Sequence, residues 1–123
     1  MLGQRPVVAF IPTTDFKKAR AFYEGIVGLS FVAEDPIAMM LDANGIMVRV
    51  SKVEKFTPQP FTILGWEVHS VAQIGEKLKA KGVTFERYSY LEQDAAGIWT
   101  SPSGARVAWF KDPDGNVLSI SQP

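Results

Sequence analysis

Residues 109–123 read Trp109-Phe110-Lys111-Asp112-Pro113-Asp114-Gly115-Asn116-Val117-Leu118-Ser119-Ile120-Ser121-Gln122-Pro123, and this stretch organises the chain. Two apolar runs flank Asp112-Pro113-Asp114-Gly115, a segment suited to reversing direction. Proline fixes φ at the first inner turn position, and glycine tolerates positive φ at the exit. The run after the turn alternates. Leu118 and Ile120 fall on one face, and Val117, Ser119 and Ser121 on the other. A strand with one oily face and one small, half-polar face predicts a core on one side and a cavity on the other.

Working outward, Val7 to Ile11 reads as a buried strand closed by Pro12. Thr14 or Asp15 caps the helix that follows, which turns Phe16, Ala19, Phe22, Tyr23 and Ile26 inward and ends at Gly28. Strands are expected at Leu29–Ala33, Ile37–Leu41 and Ile46–Val50, with Asp42-Ala43-Asn44-Gly45 as a hairpin signal. After a linker at 51–60 the pattern restarts with a strand over Phe61–Val68. Ser70 and Gln73 then form a capping box for a helix ending at Gly82. Phe85–Tyr90 reads as the next strand, followed by a polar loop to Gly97. Ile98–Thr100 and Arg106–Phe110 flank a turn at 101–104. Gly28-Leu29-Ser30-Phe31 is echoed by Gly82-Val83-Thr84-Phe85, each directly after a helix that follows an apolar strand. The chain is therefore an internal repeat. The expected fold is α+β, one domain over 1–123 made of two βαβββ modules, at about 7–53 and 61–122. Its helices lie outside and its sheets enclose a cavity.

At 123 residues the chain suits one such domain, and an apolar fraction of 46% with 21% charged residues is ordinary for a globular protein. Thirteen basic and thirteen acidic side chains cancel, so no basic stripe points to nucleic acid. The chain has no cysteine, which excludes disulfides, thiolate metal sites and cysteine nucleophiles. No signal peptide or membrane span is read, and the expected location is the cytoplasm.

A doubled βαβββ unit with this echo and a terminal Asp-Pro-Asp-Gly-Asn hairpin resembles the vicinal oxygen chelate superfamily, which includes the glyoxalase, bleomycin-resistance and extradiol dioxygenase proteins. The most specific pieces are Asp15 through Phe22-Tyr23 to Gly28-Leu29, and Phe110-Lys111-Asp112-Pro113-Asp114-Gly115-Asn116. The resemblance implies sheets curled around a shared cavity and module pairing within one chain or across a homodimer. In catalytic members it also implies a divalent metal held by His, Glu or Gln on cavity-facing strands. Carried over by motif, those positions are Val8, Arg49, Ile63 and Ser119. Val and Ile have no donor atom, Arg is cationic, and Ser is a weak neutral ligand. The expectation is no metal and no cofactor.

Residues expected to line the cavity are Val8, Phe10, Met47, Arg49, Ile63, Glu67, Trp99 and Ser119. His69, the one histidine, falls outside the ligand pattern, where strand gives way to helix. Trp99, Trp109, Tyr88 and Tyr90 cluster in the second half, and Trp99 beside a polar loop is a candidate for the cavity rim or a dimer contact. Arg49 among apolar neighbours needs an anion, supplied either by Glu67 or by an acidic group on a ligand. Two functions compete. One is a binding protein for a small organic molecule, anionic where the ligand rather than Glu67 answers Arg49, held in a cavity lacking the family's metal ligands, without nucleic-acid or membrane partners and assembled as a homodimer. The other is an enzyme of the same superfamily (lyase, isomerase or dioxygenase); metal-dependent chemistry is disfavoured, and a metal-free isomerase or lyase would use Glu67 as base and Arg49 as electrostatic stabiliser.

Overall fold

Strand β1 (Val8–Thr13) begins the fold of the computed structural model, which describes residues 1–123 after a short 3-10 turn at Leu2–Gln4. Asp15 caps helix α1 (Phe16–Arg20), its carboxylate accepting from the Lys18 N–H at 3.2 Å. The helix continues as a π-helix over Ala21–Ile26, closed by Val27 N–H donating to Phe22 O at 2.9 Å. This wider winding turns two consecutive aromatics, Phe22 and Tyr23, into the core, with ring centroids 5.0 Å apart at 86°. Strands β2 (Ser30–Glu34), β3 (Ala38–Ala43) and β4 (Ile46–Lys52) complete a sheet of order β1-β4-β3-β2, with β1 and β4 parallel. Asn44 and Gly45 both take positive φ, 51° and 88°, the geometry of the tight turn joining β3 to β4. Ile11, Met39, Leu41, Val48 and Val50 fill the helix-facing side and are sealed from water. Each such burial stabilises by about 1.5–3 kcal/mol.

Pro12 does not close β1. The strand runs on to Thr13, with Pro12 opposite Ser51. Proline is tolerated because β1 is an edge strand, where one row of N–H groups has no ladder partner to lose.

The second half repeats the plan with β5 (Thr62–Glu67), α2 (Val71–Ala80), β6 (Trp99–Thr100), β7 (Arg106–Lys111) and β8 (Val117–Gln122), in the order β5-β8-β7-β6. Ser70 caps α2, its hydroxyl accepting from Gln73 N–H at 3.2 Å. Val71, Leu78, Phe85, Phe110, Leu118 and Ile120 form this core, and Trp66 stacks on Phe110 at 6.4 Å. At the β7–β8 turn Gly115 has φ 89° and donates to Asp112 O at 3.0 Å. The chain divides into two compact units, Met1–Thr57 and Pro58–Pro123, each a four-stranded mixed sheet with its helix. No helix is long and apolar enough to cross a membrane.

Phe85–Tyr90 is not a strand, which corrects the expectation from sequence. The strand that follows α2, second of the four in this unit, is the two-residue β6, inside the run expected at Ile98–Thr100. The side-chain amide of Gln93 takes the place of a neighbouring strand. It accepts from Tyr88 N–H at 2.7 Å and donates to Glu86 O and Gly97 O, each at 2.9 Å. One further backbone bond, Glu86 N–H to Trp109 O at 2.8 Å, ties the segment to β7.

Candidate ligand-binding faces

In the first unit the helix covers one side of the sheet, and strand alternation sends the other residues to the opposite, open side. Val48 and Val50 are buried, whereas Met47 is 42% exposed and Phe10 64%. Cross-strand register lines up Val8 with Met47, and Phe10 with Arg49 and Met40. The register brings Val8, Phe10, Met47 and Arg49 together on the open face, which is mostly apolar, with Arg49 mid-sheet and Asp42, opposite Met47, toward the β3–β4 turn.

Arg49 is half-buried, and its one polar contact is Nη1 to Met40 Sδ at 3.9 Å. Of the three ion pairs in the chain, the one in this unit joins Arg20 to Glu24. The nearby carboxylates are committed to turns. Asp35 Oδ1 accepts from Ala38 N–H at 2.9 Å and Ile37 N–H at 2.8 Å, and Asp42 accepts from Gly45 N–H at 3.4 Å. Those two backbone bonds, then the field of Arg49, hold the Asp35 carboxyl below its ordinary value.

In the second unit Ser119 and Ser121 alternate with the buried Leu118 and Ile120. Ser119 lies between Gly65 and Trp109, and Ser121 between Glu67 and Val107. A Cβ at Gly65 would collide with Ser119 Oγ, so the missing side chain makes room for the hydroxyl. Glu67 is exposed at the end of β5. Ile63 sits at a register irregularity between Thr62 and Leu64 and is half-buried. Trp99 lines a hollow of about 290 Å³ together with Tyr88, Tyr90, Trp109, Phe61 and Thr62. Trp109 meets Tyr88 edge to face at 5.6 Å and 81°, and lies 6.1 Å from Trp99. Its indole N–H donates to Thr62 Oγ1 at 3.1 Å, which pins the ring across the sheet. No charged side chain lines this hollow. Partial burial first, then the charge of Glu86 and the Tyr90 phenol, raise the Tyr88 phenol above its ordinary value.

The hollow extends the set of candidate residues beyond the sequence expectation. Clustering of Tyr88, Tyr90 and Trp109 with Trp99 was its visible signal, and nothing local marked Thr62. The metal implied by the resemblance does not fit. Val8 and Ile63 carry no donor, Arg49 carries a positive charge, and Ser119 is one neutral hydroxyl. No group of three or more His, Cys, Asp or Glu side chains is placed to hold an ion. His69 is exposed where β5 gives way to α2.

Residues 5–120 match the family model of the Glyoxalase/Bleomycin resistance protein/Dioxygenase superfamily. No curated protein matches the chain significantly. Among solved structures, a member of that superfamily from Sphaerobacter thermophilus DSM 20745 is similar at 22% identity and TM-score 0.76, covering 100% of both chains. A bleomycin resistance determinant encoded on transposon Tn5 is similar at 22% identity and TM-score 0.75, over 97% of this chain and 98% of that one. TnmS3, an antibiotic-binding protein from Streptomyces sp. CB03234, is similar at 24% identity and TM-score 0.71, over 100% of this chain and 98% of that one.

Proposed function

The chain belongs to the glyoxalase/bleomycin resistance/dioxygenase superfamily, and from that premise we propose that it binds a small organic molecule against the open faces of its sheets. The observation that carries this reading is the hollow of about 290 Å³ walled by Tyr88, Tyr90, Trp99 and Trp109. Open hollows of that size, apolar with a few polar groups, suit small organic molecules. Aromatic faces contribute apolar area and stacking of about 0.5–1.5 kcal/mol per ring pair. Solved relatives with similar folds include a bleomycin resistance determinant and an antibiotic-binding protein. Each unit offers its own face: Val8, Phe10 and Met47 with the charge of Arg49 in the first, and Ile63 and Ser119 with the charge of Glu67 in the second. The working assembly is a homodimer, a form that lets a partner cover exposed sheet surface.

The test uses N-phenyl-1-naphthylamine, a neutral aryl dye that brightens in apolar sites, with native mass spectrometry of freshly purified protein for a co-purifying molecule. The expected result is saturable dye binding that Trp109→Ala weakens severalfold without loss of helix content. Absence of dye binding, or binding equally tight in Trp109→Ala and Trp99→Ala, would refute the assignment.

A further inference from the structure

Arginine is always charged and carries donors suited to gripping a planar oxyanion at two points. Drawing such a group partly out of water is unfavourable unless an anion answers it. In the first unit Arg49 sits mid-strand on β4, between Phe10 of β1 and Met40 of β3. Its one polar contact is a thioether sulfur at 3.9 Å, the weakest kind of acceptor. Asp35 Oδ1 and Asp42 Oδ2 accept from backbone N–H groups of their own turns, and although the field of Arg49 reaches Asp35, neither carboxylate comes within ion-pair distance of the guanidinium. Around the guanidinium lies apolar surface left open to solvent, from Val8, Phe10 and Met47.

From this arrangement we infer that Arg49 is the oxyanion-recognition residue of the first unit's open face, and that the ligand taken there is a small organic carboxylate with an apolar body. The carboxylate takes the donors of Arg49, and the apolar body covers Val8, Phe10 and Met47. This assignment rests on the ligand-binding role proposed above and narrows it to one chemical class.

The experiment compares two dyes that share an aryl body. 8-Anilino-1-naphthalenesulfonate carries an oxyanion, and N-phenyl-1-naphthylamine does not. Wild-type protein is expected to bind the sulfonate about tenfold tighter, as expected for a charged contact shielded from water. Arg49→Met and Arg49→Gln should each remove that preference. 1-Naphthaleneacetate should displace the sulfonate dye from wild-type protein, and 1-naphthaleneacetamide should not. Equal affinity for the two dyes, or a preference that survives in both variants, overturns the inference while the neutral dye still reports a binding protein. Binding of neither dye overturns both readings.

Discussion

Replacing Asp112 by alanine tests the turn that organises the second unit. Asp112 is 6% exposed and Asn116 2%. Asp112 Oδ1 accepts from Asp114 N–H at 3.0 Å and Asn116 N–H at 2.9 Å, and Oδ2 accepts from Asn116 Nδ2 at 2.8 Å. Asp112→Ala deletes all of these acceptors but keeps the turn's backbone bonds, Gly115 N–H to Asp112 O and Asp112 N–H to Asn116 O, each at 3.0 Å. A buried donor that loses its acceptor costs about 1–3 kcal/mol. Two such donors lie on Asn116, whereas Asp114 is open enough for water to serve it. The carboxylate's own desolvation is relieved, so the net expectation is a loss of about 3 kcal/mol. All three tryptophans, Trp66, Trp99 and Trp109, lie in the Pro58–Pro123 unit, so their fluorescence in urea reports its unfolding. With a slope of about 1.5 kcal/mol per molar urea, the midpoint should fall by about 2 M. A fall of less than about 0.5 M at unchanged slope would show that the carboxylate network does not hold the hairpin.

Gln93→Ala should destabilise the same unit by about 2 kcal/mol, and hydrogen exchange at the Tyr88 amide, which donates to Gln93 Oε1 at 2.7 Å, should accelerate. Unchanged exchange there would mean that the amide does not stand in for a strand. Tyr88 should ionise above the ordinary phenol range in an absorbance titration read as the difference between wild type and Tyr88→Phe, since its folded phenol is shifted upward. Its contribution to stability is fully present below the unfolded value near ~10 and is lost as pH rises through the higher folded one. Tyr88→Phe should therefore flatten the alkaline decline in thermal stability, and an unchanged decline would count against the shift.

Features governed by local rules were legible in the chain. Asp15 and Ser70 cap their helices, and Asn44-Gly45 and Asp112-Pro113-Asp114-Gly115 turn the strands. Alternation along 46–52 separated Val48 and Val50 from Met47 and Arg49, and the repeat of strand, helix and strands fixed the class of fold. What sequence did not disclose depended on partners distant in the chain or on side chains acting as backbone. Phe85–Tyr90 has strand composition, but a strand also needs a neighbour, and Gln93 takes the bonds that neighbour would have made. Pro12 reads as a stop until β1 proves to be an edge. The aromatic hollow was visible as a cluster of residue types, but the bond from Trp109 to Thr62 spans 47 positions and has no local mark.

The close approach of Gly65 to Ser119 constrains how this face can diversify. The two positions draw on one volume, so their substitutions are epistatic. A side chain at 65 is tolerated only after 119 has shrunk, or after its hydroxyl has swung to another rotamer and now addresses a different part of the face. A first step at 65 therefore redirects the Ser119 hydroxyl, whereas a first step at 119 to a smaller residue leaves 65 free to change without that consequence. Recruitment of this face to a new ligand would more readily begin at the ring-bearing wall, where no such pairing restricts single steps.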